Sequence, residues 1–164
     1  MDDLIANWWT EFSKQAPHLD GLFQGKEEWD LPEWMQQNLA AIHSHLMWEF
    51  GPARCGPGHR LVITAESRKE LRPLVREILR RAPQLEGWEF YGYRLAEDID
   101  QAAATVEGRV GGEIGSLKVL VQLGDFNRVD LRFLGFPPEA DEQQNNSVAF
   151  VASETLLGEE VLDR

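Results

Sequence analysis

The chain has 164 residues, 43% of them hydrophobic and 27% charged, and a formal net charge of −12. That length and apolar share are enough to bury a core, which excludes disorder as the organising state. An acidic excess of this size repels phosphate and argues against nucleic acid as a partner of the whole surface.

The lone cysteine, Cys55, excludes an internal disulfide framework and fits a reducing compartment. Met1-Asp2-Asp3 opens with acid where a secretory leader carries positive charge, and no apolar run approaches about 18 residues. The expectation is a cytoplasmic protein without a membrane partner. Charge is uneven along the chain: residues 1–50 carry a net of −7 and 133–164 a net of −6, while 51–132 carry +1. Acidic ends flanking a nearly neutral middle suit a protein partner with basic groups.

Asp2 or Asp3 caps a first helix whose Leu4, Ile5, Trp8, Trp9 and Phe12 form one apolar stripe, ended by Pro17 and the Gly21–Gly25 region. Asp30-Leu-Pro-Glu33 starts a second helix, with Leu31, Trp34, Met35, Leu39, Ile42 and Leu46 carrying the stripe to about residue 46. The two make an N-terminal helical pair over 1–46. Leu46 to Phe50 and Arg60 to Glu66 read as antiparallel strands joined by the turn-rich Gly51–His59 stretch.

A basic helix over 67–82 follows, opened by a Ser67-Arg-Lys-Glu70 capping-box pattern, with Pro73 making its first turn irregular. Pro83 and Gly87 end it. Residues 86–95 then crowd Trp88, Phe90, Tyr91 and Tyr93 into a run that fits a central strand, with rings on both sheet faces.

Beyond Leu95, Asp98 or Asp100 caps a short helix through Ile99 and Ala102–Ala104, and Gly108, Gly111, Gly112 and Gly115 mark a connection. Leu117, Val119, Val121 and Leu123 alternate, and Val129, Leu131 and Phe133 answer them across the turn Gly124-Asp-Phe-Asn127, which is a hairpin pattern. Pro137–Asn146 reads as a loop, and a last helix spans 147–163 with Gly158 inside it. The fold expected is one α+β domain over 1–164. Its sheet region, 47–136, forms a mostly antiparallel sheet of about five strands with helices packed mainly on one face.

Three patches occur together: Met47-Trp-Glu-Phe-Gly-Pro52 before Leu61-Val-Ile-Thr-Ala-Glu66, then Glu70-Leu-Arg-Pro-Leu-Val75 leading to Ala82-Pro…Gly87-Trp88 and Gly92-Tyr-Arg94, and late in the chain Leu156-Leu-Gly-Glu159. Together they resemble a group of bacterial α+β proteins with no assigned function. The likeness covers roughly residues 46–95, with a fainter match at 148–160. It implies a bacterial source, a shared fold and a further segment past the last helix, which would make a chain ending at Arg164 a shortened version. It implies no catalytic residues.

Arg72, Arg76 and Arg80 recur every four residues on the basic helix and form a row suited to a partner's carboxylates or to phosphate. Cys55-Gly-Pro-Gly-His59 has a thiol and an imidazole in one flexible loop, the minimum for a nucleophilic pair. A thioredoxin-type disulfide is excluded, because the second cysteine is absent. His43, His45, Cys55 and His59 are ligand types that zinc accepts, but a two-residue spacing diverges by about 200° on a helix and a strand separates the pairs.

The glycines of 108–115 lack the Gly-Lys-Ser/Thr ending of a phosphate loop. Glu49, Glu66 and Glu89 sit on strands that could bring two carboxylates together as an acid–base couple. No Gly-x-Ser-x-Gly elbow or His-Glu-x-x-His helix is present. The functional expectation is a non-enzymatic acidic protein-binding or regulatory module, inhibitor-like or immunity-like, with no catalytic residues, metal or cofactor. The competing expectations are a small hydrolase at the Cys55–His59 loop and a nucleic-acid accessory protein using the arginine row.

Overall fold

The computed structural model describes residues 1–125, 128–139 and 141–163. The chain is α+β and divides into two compact units, Met1–Arg94 and Leu95–Arg164, where one domain was expected.

The first unit begins with α1 (Asp2–Phe23), whose Ile5, Trp8, Trp9, Phe12, Ala16 and Leu19 are buried. Pro17 lies inside this helix and does not end it. An interior proline costs about 3 kcal/mol, but full burial of a leucine returns ~1.5–3 kcal/mol, and Leu19 beyond it is fully buried. Asp20 adds a side-chain bond to His59.

Helix α2 (Leu31–Asn38) starts as expected, with the Asp30 carboxylate accepting the Glu33 N–H at 2.9 Å. It stops well before residue 46. The Asn38 amide donates to the Trp34 carbonyl, and the Leu39 and Ala40 N–H groups both reach the Met35 carbonyl. The ladder ends there, although Leu39, Ile42 and Leu46 remain buried in the irregular turns that follow.

β1 (Met47–Pro52) and β2 (His59–Thr64) pair antiparallel as expected. The 3-10 turn Lys69–Leu71 leads into α3 (Arg72–Arg80), and neither start makes a side-chain cap bond, so the Ser67–Glu70 capping box does not form. β3 (Trp88–Tyr91) pairs parallel with β2, because a helical crossover separates them. The order is β1-β2-β3, so the aromatic run is an edge strand and β2 is central. Its Arg60–Thr64 run, buried throughout, is the continuous pattern expected of a strand covered on both faces.

The register puts Trp48, Phe50, Leu61, Ile63, Trp88 and Phe90 on one sheet face. Residues of α1, α2 and α3 share one apolar cluster with that face. Phe12 meets Trp88 edge-on at 4.9 Å and Trp9 meets Phe90 at 4.8 Å, arrangements aromatic rings favour. The Trp9 indole donates to the Ile78 carbonyl at 2.8 Å.

The second unit holds α4 (Ile99–Val110), β4 (Lys118–Leu123), β5 (Val129–Leu134), α5 (Glu142–Leu157) and α6 (Glu159–Asp163). Asp98 caps α4, and Gly111, at φ 65°, closes it. Asp141 caps α5, which therefore starts inside the stretch read as a loop. Gly158, at φ 77°, separates α5 from α6, so the expected single helix over 147–163 is two.

β4 and β5 form the expected antiparallel hairpin, but as a separate two-stranded sheet. The single sheet of about five strands is thus two sheets of three and two. Phe126 and Asn127 of the expected hairpin turn, and Ala140 of the expected loop, lie outside the described residues. Among the described residues no helix is long and apolar enough to cross a membrane.

Candidate interaction surface

The arginine row does not form as an exposed face. Arg72 is only 5% exposed. Its guanidinium donates to the Glu66 carbonyl at 2.6 Å, the Thr64 hydroxyl at 3.3 Å and the Gly92 carbonyl at 3.4 Å, and lies 4.2 Å from the Tyr93 ring centre. It clamps the turn after β2, where Glu66 sits at φ 49°. Arg80 is exposed but grips Glu77 through two bonds, and Arg81 joins the same carboxylate and Asp2. Arg80 first, then Arg81, holds the Glu77 carboxyl down at about 2. Arg76, one turn on, is left exposed. A helix whose first member of the row turns inward, because its stem packs at the sheet end, offers no three-cation strip.

The Cys55–His59 loop is fixed from an unexpected side. Glu89 of β3 accepts the Arg54 N–H at 2.7 Å, the Cys55 N–H at 2.8 Å and the Tyr91 hydroxyl at 2.8 Å. These bonds, the Arg54 amide foremost, hold the Glu89 carboxyl below its usual range. Gly58 closes the loop at φ 129°, where a Cβ would stand 2.2 Å from the Gly87 carbonyl oxygen, so only glycine fits.

His59 belongs to the aromatic face, in register with Trp88, whereas Glu89 and Tyr91 point to the other. The structure brings His59 to Asp20 at 2.8 Å and not to the exposed Cys55. The His59–Asp20 pair borders a groove of about 320 Å³ that also includes Ser13, Glu86 and Trp88. Ser13 donates its hydroxyl to the Trp9 carbonyl.

On the opposite sheet face Arg94 bridges Glu49 at 3.4 Å and Glu66 at 2.8 Å, and Arg60, 5% exposed, donates to the Pro52 carbonyl. The Glu49, Glu66 and Glu89 carboxylates are therefore held by cations and amides. His43 and His45 face each other at 5.4 Å in the turns before β1. No cluster of three or more metal-ligating side chains occurs among the described residues.

The surface that stands out is in the second unit. Its buried set is small: Ala102, Val106, Ile114, Val148, Val151 and Ala152. Leu117 and Phe133 pack against that set at the base of the hairpin. Along the hairpin, Val119, Val121 and Leu123 stand opposite Phe133, Leu131 and Val129, so six apolar residues share one face. All six residues of β4 are exposed, Val121 by 64% and Leu123 by 89%.

The alternation was legible in the sequence, but periodicity tells which side is apolar, not what covers it. The hairpin also lacks the acidic excess of the chain as a whole, with Lys118, Arg128 and Arg132 against Asp125 and Asp130. The chain matches no protein-family model, no curated protein and no solved structure.

Proposed function

We propose that this chain is a non-enzymatic protein-binding module, inhibitor-like or immunity-like in kind, and that its contact is the apolar face of the β4–β5 hairpin. One observation carries the reading. A two-stranded sheet is at best marginally stable in water, yet this one leaves Val121, Leu123 and Val129 largely in solvent. Covering apolar area is worth about 25 cal/mol per Å², and contiguous exposed apolar residues mark interaction sites in soluble proteins.

The fitting partner presents an apolar strip bordered by basic side chains, because the −12 charge of this chain steers such a surface inward and repels acidic ones. The contact is thus apolar, and the acidic exterior acts on encounter rather than as the docking surface itself.

The test is a comparison of wild type with a Val121→Asp/Leu123→Asp variant as bait for the proteins of the source cell, with a photo-crosslinker at Val129 on the same face. Wild type retains a partner cross-linked at the hairpin, and the variant loses it while unfolding at the same denaturant concentration. A partner held equally by both forms overturns the reading, as does turnover on an ester, amide and phosphoester panel.

A second reading, hydrolysis, has one observation in its favour: the His59–Asp20 pair beside a groove. It requires turnover that His59→Ala abolishes.

A further inference from the structure

A two-stranded sheet leaves β5 with a second edge besides the one bonded to β4. We propose that this edge pairs antiparallel with the same edge of a second copy, centred on Leu131, to give one four-stranded sheet in the order β4-β5-β5-β4. Within the hairpin Asp130 stands opposite Gln122 and Arg132 opposite Leu120, so neither charge meets its opposite. Both residues are exposed.

A two-fold pairing centred on Leu131 sets Asp130 of each copy against Arg132 of the other. On the other side of the sheet Leu131 meets Leu131 and Val129 meets Phe133. Moving the centre by one residue sets Asp130 against Asp130 or Arg132 against Arg132, and like charges directly opposite destabilise a sheet. The strand is self-complementary in the Leu131 register and self-repelling in the two beside it.

Charged residues on an edge strand commonly block pairing. Here they have opposite signs two residues apart, so they select a register. β4 has Lys118 as its single charge and carries no such code. The hairpin, from Lys118 to Leu134, has a net charge of +1, so two copies meet there without the repulsion that −12 per chain imposes elsewhere. The two-fold keeps both apolar faces on the same side and doubles the width of the proposed contact. Self-pairing needs no partner, so this inference and the partner-binding reading fail separately.

The experiment is sedimentation of the full chain across the micromolar range at physiological ionic strength, for wild type, Asp130→Arg, Arg132→Asp and the double reversal. Wild type dimerises with concentration. Each single reversal opposes like charges at two sites and weakens the dimer by roughly tenfold or more, and the double reversal restores it. Val121→Asp, on the face and not the edge, leaves the dimer in place.

A wild-type chain that stays monomeric refutes the pairing. So does a dimer indifferent to the single reversals, a double reversal that fails to restore it, or a dimer lost on Val121→Asp alone, which would mean that copies meet face to face. All of these side chains are exposed, so matching circular-dichroism melts verify that the fold survives each change.

Discussion

Replacing Arg72 by methionine distinguishes a structural clamp from an interface cation. The side chain is 5% exposed and donates at 2.6 Å to the Glu66 carbonyl, with longer bonds to Thr64 and Gly92 and a 4.2 Å stack on Tyr93. A hydrogen bond from a charged donor contributes about 1.5–3 kcal/mol. The two longer bonds lie near the distance limit and add little, ~0.5 kcal/mol each. The ring contact adds ~0.5–2 kcal/mol.

Against these stands the cost of burying the cation, which methionine removes while keeping the apolar stem. The net loss expected is about 2–4 kcal/mol. Arg76→Met, one turn along the same helix and exposed, stays within about 0.5 kcal/mol. Urea unfolding followed by tryptophan fluorescence measures both, because all six tryptophans lie within Met1–Arg94. An Arg72→Met chain within about 1 kcal/mol of wild type, or equal losses for the two variants, would refute the clamp.

Gly112→Ala puts a Cβ 2.2 Å from Val148 Cγ2 in the small second core, an overpacking expected to cost about 1–3 kcal/mol. Adding Val148→Ala relieves the clash, so in a thermal melt the double variant loses less than the two singles summed. Glu89 has its folded pKa below the ordinary 4.5, so its bonds to the loop stabilise above that value and are lost as pH falls through the lower folded one. Protection of the Arg54 and Cys55 amides, measured against the intrinsic exchange rate at each pH, therefore falls on acidification, and Glu89→Gln lowers it at neutral pH as well. Leu123→Asp changes stability by less than about 0.5 kcal/mol because the side chain is already 89% exposed, and a larger loss in the melt would mean that the hairpin face is covered within the chain.

The elements that pattern alone located are those whose burial is one-sided. The Ile5–Phe12 stripe and the β4–β5 hairpin alternate between apolar and polar with the period of their structure, while the β1–β2 pair is marked by the turn-forming residues between its strands. What failed depended on distant partners. Pro17 reads as a stop unless one knows that Leu19 beyond it finds a core site and Asp20 finds His59. The ring-rich 88–91 run looks central by side-chain size, but centrality follows from pairing, and Leu61-Val62-Ile63 has the continuous burial that a middle strand needs. The arginine spacing is genuinely helical. Helical phase, however, cannot tell an exposed guanidinium from one folded back onto the end of a sheet.

The two units differ in how complete their cores are, and that difference supports the proposed hairpin contact. In Met1–Arg94 three helices meet the aromatic sheet face, Trp8, Phe12 and Leu19 are almost wholly buried, and the charged groups of the other face hold one another. Little there is left for a second molecule to complete. In Leu95–Arg164 the buried set is alanine, valine and isoleucine, while larger side chains, Leu120, Leu123 and Phe150 among them, stand in solvent. Leu117, Phe133, Phe136 and Leu156 pack against that set only in part, and large apolar side chains left together in solvent are the informative exception to burial. On the proposed reading, association supplies the missing burial. The hairpin is the stretch where apolar residues, open backbone edges and low net charge coincide, so it is where binding is expected to stabilise the chain most.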